Sequence, residues 1–223
     1  MLDFAQVRRM MVDGQLRTFD VNDLPLLAVF DDLPRERFVP ADRTAFAYID
    51  QNIPVSDGLD VPEPRFMLAP MVLARLIQAL EVRPGDRALD IAGGLGYSSA
   101  ILARLGASVT ALEASPAMAE AARACLERCG VEGVKTVAGP LERGVPNGAP
   151  YDVILVNGAV EVRPQALLEQ LAEGGRLACV DGRGRAAKAR LTVRSGDAFG
   201  ARALFDAAAP ALAAFRAEPG FVF

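Results

Sequence analysis

The chain of 223 residues contains no histidine and no tryptophan, and only three cysteines. Without an imidazole there is no Ser-His-Asp or Cys-His nucleophile arrangement and no histidine metal site. Cys125 and Cys129 share one face of an expected helix, and Cys179 stands apart. With no second cysteine pair a zinc site is not expected, and the three are read as reduced, partly buried thiols. Long apolar runs are also missing, and none approaches the roughly 20 residues that cross a bilayer. Asp3, Gln6, Arg8 and Arg9 break up any signal-peptide order at the N-terminus. The expectation is a cytoplasmic protein without a membrane partner. A basic excess is lacking too. The net charge is −4 and the isoelectric point about 5.0, which argues against a nucleic-acid partner. Any chemistry must run on carboxylates, amides, hydroxyls or simple positioning.

What is present is ordinary for a folded chain, with 52% hydrophobic and 23% charged residues, enough apolar material for a full core. The stretch around which the rest is organised is Arg87–Ser99, RALDIAGGLGYSS. A short apolar run, Ala88–Ile91, carries one acid, Asp90. A small-residue turn from Ala92 through Gly94 to Gly96 follows, and a helical segment begins at Tyr97. Strand, glycine turn and helix bring backbone N–H groups and a helix N-terminus up to a ligand. A second strand, Ser108–Leu112, ends at Glu113, where strand–helix–strand nucleotide sites place an acid for a ribose hydroxyl pair. A helix-flanking surface acid is the other reading of Glu113.

Periodicity organises the remainder. Asp3–Thr18 has helical spacing weakened at Gly14, and Asn22 reads as the N-cap of a helix over Asp23–Phe30. Arg35–Pro40 reads as an extended connector, followed by a short helix around Thr44–Ile49. Gln51–Pro64 is a long loop rich in Pro, Asp and Gly, either functional or a surface connector. Helices are expected over Met71–Leu80, from Ser115-Pro116 to Cys129, and over Gln165–Leu171. Strands are expected at Val134–Val137, Tyr151–Val156 and, after Gly174-Gly175, at Arg176–Val180. Ala189–Arg194 and Ala201–Phe205 read as an antiparallel pair at one sheet edge, and Gly220–Phe223 as a last extended piece. Ala207–Ala217 gives no clear signal. The pattern predicts an α/β fold, a mostly parallel doubly wound Rossmann-like sheet.

The segments RERFVP, AYIDQNIPV, the APM turn with its helix, RPGDRALDIAGGLGYSSAILA, and APYDVILVNGA followed by LLEQLAEGGRL resemble the protein-L-isoaspartate O-methyltransferases. They stand in that family's order from about Met11 to Asp181. The resemblance implies a class I methyltransferase core over residues 81–223, with an N-terminal helical extension and active-site cap over 1–80. It implies S-adenosylmethionine as cofactor and a carboxylate of damaged protein or peptide as acceptor. A carboxylate is ionised at neutral pH, so the reaction needs alignment rather than a general base. Carried onto this chain, the cofactor-side residues are Asp90, Ala92, Gly94, Gly96, Tyr97, Ser98, Glu113, Gly139, Pro140, Leu141 and Asn157. The acceptor side is Ile53, Pro54, Val55, Ala69, Pro70 and Met71.

Several positions depart from the family pattern. Ala92 replaces a glycine. Leu68 stands where the family has its active-site serine, so no catalytic residue is assigned, and Met71 stands where it has a histidine. LDVPEPRFM replaces a Gly-Gln-Thr-like segment. Gly139-Pro140-Leu141 replaces a Gly-Asp-Gly that supplies an acid near the adenine. The alternative reading is a divergent homologue without isoaspartyl activity, acting on another acceptor or as a binding module. A nicotinamide oxidoreductase fits poorly, since Gly94-x-Gly96-x-x-Ser99 lacks the last glycine of that fingerprint. The oligomeric state is not legible.

Overall fold

The computed structural model describes residues 3–218, so the expected extended piece Gly220–Phe223 lies outside the described residues. Asp3 caps the first helix, α1 (Phe4–Met11), by accepting from the N–H groups of Ala5 and Gln6. The winding then loosens into a π turn over Val12–Leu16, which contains Gly14, and tightens into a 3-10 turn over Arg17–Phe19. Helix α2 (Leu24–Asp32) is capped by Asp23 rather than Asn22. The Asp23 carboxylate accepts from Leu26 N–H, while the backbone N–H of Asn22 donates to Gln78 Oε1. Arg35–Phe38 forms a 3-10 turn where an extended connector was expected. The helix expected around Thr44–Ile49 is a 3-10 run over Ala41–Phe46.

The long loop is tied into a small hairpin. Its strands β1 (Ile53–Pro54) and β2 (Phe66–Met67) pair antiparallel, with Ile53 opposite Met67. Helix α3 (Pro70–Leu80) starts on a proline at its first position, where a missing N–H costs nothing. It buries Val72, Leu73, Leu76, Ile77 and Leu80. Each such side chain contributes about 1.5–3 kcal/mol on full burial.

The main sheet follows from alternating units: β3 (Arg87–Ile91), α4 (Tyr97–Arg104), β4 (Ser108–Glu113), α5 (Pro116–Arg128), β5 (Val134–Ala138), β6 (Tyr151–Val160), α6 (Gln165–Leu168) and β7 (Leu171–Asp181). Two further strands, β8 (Lys188–Ser195) and β9 (Ala198–Asp206), complete it. The spatial order is β5-β4-β3-β6-β7-β8-β9. The first five of these strands run parallel, and β8 and β9 close one edge antiparallel. Chain order reverses between β3 and β6, so the crevice beyond their carboxyl ends is where a ligand is expected.

Helix α6 is shorter than the sequence pattern suggests, because β7 begins at Leu171 and passes through the two glycines instead of starting after them. A Cβ at Gly175 would lie 2.8 Å from the Ala172 carbonyl and 2.9 Å from that of Tyr151, so only glycine fits this bulge. Val153 and Leu155 of β6 face one apolar cluster, and Ile154 and Val156 the other. The first cluster also takes in Leu16, Leu26, Phe30 and Phe38, so the N-terminal helices pack onto the sheet's own core. Among the described residues no helix is long and apolar enough to cross a membrane.

Candidate functional site

Strand β3 delivers Asp90 and the glycine turn to the switch point. Asp90 is fully buried. Its Oδ2 accepts from Ser98 Oγ at 2.7 Å and Ser99 Oγ at 2.5 Å, both from the first turn of α4. Its Oδ1 accepts from Asn157 Nδ2 at 2.6 Å, and the same amide donates to the Ile91 carbonyl at 3.0 Å. Burial raises the Asp90 carboxyl above its usual range, and the three hydrogen bonds oppose that rise. Asp90 therefore ties β3 and, through Asn157, β6 to the start of α4. The turn itself is left-handed at Ala92 (φ 58°), Gly94 (φ 64°) and Gly96 (φ 93°).

Glu113, at the tip of β4, reaches the turn. Its Oε1 accepts from Gly94 N–H at 2.7 Å. Its Oε2 accepts from Arg65 Nε at 2.9 Å, and the two side chains are 3% and 2% exposed. Arg65 comes from the hairpin. Its Nη1 donates to Glu63 Oε1 at 2.9 Å, and Glu63 Oε2 accepts from Ala213 N–H at 2.8 Å. The hairpin is closed by Val55 N–H on the Arg65 carbonyl and by Arg65 N–H on Ser56 Oγ, both at 2.9 Å. Burial pushes the Glu113 carboxyl up to about 7, with Arg65 and the Gly94 N–H pulling the other way. The Glu113 carboxylate is thus mostly ionised above neutrality.

Val55 finishes the closure. A Cβ at Gly94 would meet Val55 Cγ2 at 2.7 Å, so the space that glycine opens is taken by the chain's own valine. The cavity left among Gly93, Gly94, Gly96, Ser99 and Glu113 is about 10 Å³. That holds about one water, whereas small-molecule sites occupy about 300–1,000 Å³. Beside it an open groove of about 320 Å³ is lined by Pro62, Glu63, Ala114, Gly139, Pro140 and Leu141.

The remaining expected residues are distributed unevenly. Ser98 is buried under Asp90. Tyr97 was expected to line the pocket, but its ring turns the other way. It packs against Phe30 and Phe38 with the Arg35 guanidinium 4.9 Å from its centroid, because the apolar N-terminal core lies on that side. On the acceptor side Ile53, Val55, Ala69 and Pro70 are buried, and only Pro54 and Met71 keep partial exposure. Leu68 is 1% exposed, and its carbonyl accepts from Arg35 Nη2 at 2.7 Å. The turn after it is held by Ala69 N–H on Asn52 Oδ1 and Met71 N–H on Asp50 Oδ1. Arg65, Glu63 and Arg35 were not singled out from the sequence. Arg35 stands inside the RERFVP segment and Arg65 inside the divergent LDVPEPRFM, which is the signal that could have drawn attention to both.

A doubly wound sheet of order β5-β4-β3-β6-β7-β8-β9, with a glycine turn after β3 and an acid ending β4, defines a Rossmann-like methyltransferase fold. Residues 10–199 match the family model described as "Protein-L-isoaspartate(D-aspartate) O-methyltransferase (PCMT)", and the chain belongs to that family. It is 41% identical over 177 residues to the protein-L-isoaspartate O-methyltransferase of Methylorubrum populi, covering 79% of each chain. It is 37% identical over 206 residues to that of Roseiflexus castenholzii, covering 92% of this chain and 91% of the relative. A solved protein-L-isoaspartate O-methyltransferase superposes with a TM-score of 0.80 at 27% identity, over 92% of this chain. This chain spans 65% of the length of that one. A structure from Plasmodium falciparum, described as a complex with S-adenosyl-L-homocysteine, shares the fold with a TM-score of 0.75 at 18% identity, over 95% of this chain and 99% of that one.

Proposed function

We propose that this chain is a methyltransferase using S-adenosylmethionine, with a carboxylate of damaged protein or peptide as acceptor, working in the cytoplasm. The observation that carries the reading is the family match over residues 10–199, which includes the glycine turn and the acid that bonds it. On this reading Gly94 and Gly96 serve the methionine end of the cofactor, Glu113 the ribose, and Gly139, Pro140 and Leu141 the adenine. The open groove beside those last three supports the adenine assignment. Asp90, Ser98 and Asn157 position the turn through their hydrogen bonds rather than by touching the cofactor, and the N-terminal 80 residues cap the site.

The cofactor does not fit the cleft as it stands. The ribose acid is paired with Arg65, Val55 fills the place beside Gly94, and the volume between them is about 10 Å³. The second reading is a homologue that has kept the frame and lost the isoaspartyl reaction. Transfer of labelled methyl from S-adenosylmethionine to an isoaspartyl peptide separates the two. The leading reading expects incorporation that grows with enzyme concentration. No incorporation by the wild type or by the Arg65→Ala variant would remove it.

A further inference from the structure

We propose that the hairpin segment Ile53–Met67 is a self-inhibitory plug, latched into the cofactor cleft by the Arg65–Glu113 ion pair, and that it must swing out before S-adenosylmethionine can enter. This rests on the methyltransferase reading and adds its regulation.

The latch is built from four linked contacts. Glu113 holds Gly94 N–H and Arg65, Arg65 holds Glu63, and Glu63 holds the backbone N–H of Ala213. The hairpin is therefore tied down on both sides of the cleft, to the glycine turn and to the C-terminal segment. Its buried part occupies the inner end of the site, where Val55 meets Gly94 and Arg65 meets Glu113. Its outer part, Pro62 and Glu63, forms one wall of the groove along Gly139–Leu141. A ligand can rest in the outer groove with the plug in place. It cannot reach the turn without displacing Arg65, because the donor it would need to replace already holds the acid.

The geometry also suits release. The hairpin strands are two residues each, so their mutual pairing is slight. The ties to Glu113 and to the Ala213 N–H are polar, and a cation drawn into water is rehydrated. Ile53, Val55 and Met67 are the hairpin's buried apolar side chains, and Val55 is the one that meets the Gly94 position. A binding-competent state populated at a fraction f weakens apparent affinity by 1/f, so a latch favouring the closed form tenfold to a hundredfold weakens cofactor binding by about that factor.

The test is calorimetric titration of the full chain with S-adenosylhomocysteine at pH 8.0, where Glu113 is mostly ionised. Arg65→Ala is expected to bind at least about tenfold more tightly than wild type, with Arg65→Gln between them. Equal affinity in all three proteins overturns the latch and leaves the methyltransferase reading standing. No binding by any of them at millimolar ligand overturns both. Hydrogen exchange on the wild type supplies a readout that does not depend on the variants folding. Saturating S-adenosylhomocysteine is expected to speed exchange at the amides of Val55 and Arg65, which the closed hairpin ties up. Unchanged or slower exchange there, with ligand bound, overturns the plug.

Discussion

Arg35→Ala lowers the free energy of unfolding by about 4 kcal/mol, measured by urea denaturation, the largest loss expected from any single substitution discussed for this chain. Arg35 is wholly buried, and among the described residues no carboxylate pairs with it. It is held instead by two carbonyls and a ring. Nε donates to Ala47 at 2.7 Å, Nη2 donates to Leu68 at 2.7 Å, and the guanidinium lies over Tyr97. Burial draws its pKa below the ordinary arginine value, and Tyr97 acts against that. Truncation leaves two buried carbonyls without a donor, each costing about 1–3 kcal/mol, and opens a cavity under the aromatic cluster. Arg35→Met fills much of that volume and no longer buries a charge, so it should cost about half as much. If alanine and methionine cost the same, the loss is one of hydrogen bonds alone and the packing part of this explanation fails.

Asp90→Ala is expected to cost about 3 kcal/mol in the same assay. The carboxylate is the shared acceptor for Ser98, Ser99 and Asn157, which belong to two different elements. Removing it takes the acceptor from one amide hydrogen and two hydroxyls, while the Asn157 amide keeps the Ile91 carbonyl. The hydroxyls can turn back to carbonyls of their own helix, which keeps the loss below the sum of three orphaned groups. Asp90→Asn keeps the shape and one acceptor oxygen and should cost about 1 kcal/mol. A loss below 1 kcal/mol for alanine would show that the knot between β3, β6 and α4 contributes little to stability.

The parts of this molecule that were legible in the sequence are those set by local periodicity. The run at Tyr151–Val156, continuous in apolar residues after Asp152, reads directly as a buried parallel strand, and Ser115-Pro116 as a helix start, because cap and first-turn chemistry are local. The Arg87–Ser99 unit was legible as strand, turn and helix for the same reason. The start of β7 was not. Gly174-Gly175 looks like punctuation in the sequence, yet strand pairing with Tyr151 carries β7 through it. Asn22 and Asp23 are both good caps, and Gln78, 56 residues away, claims the backbone of Asn22. The candidate site divides the same way. Glu113 was found from its spacing after the turn, and it does bond the turn. Its partner Arg65 lies 48 residues earlier in a loop whose register follows only from the fold. Tyr97 was placed by its neighbours in sequence, but an aromatic at a helix start can turn to either side, and the core was the nearer apolar surface.

One observation then decides between an open cleft and a plugged one. A crystal structure of the wild-type chain grown with saturating S-adenosylhomocysteine should show the nucleoside beside Glu113 only with Arg65 withdrawn and Ile53–Met67 displaced. Nucleoside density at Glu113 with the Arg65–Glu113 pair still in place would contradict it.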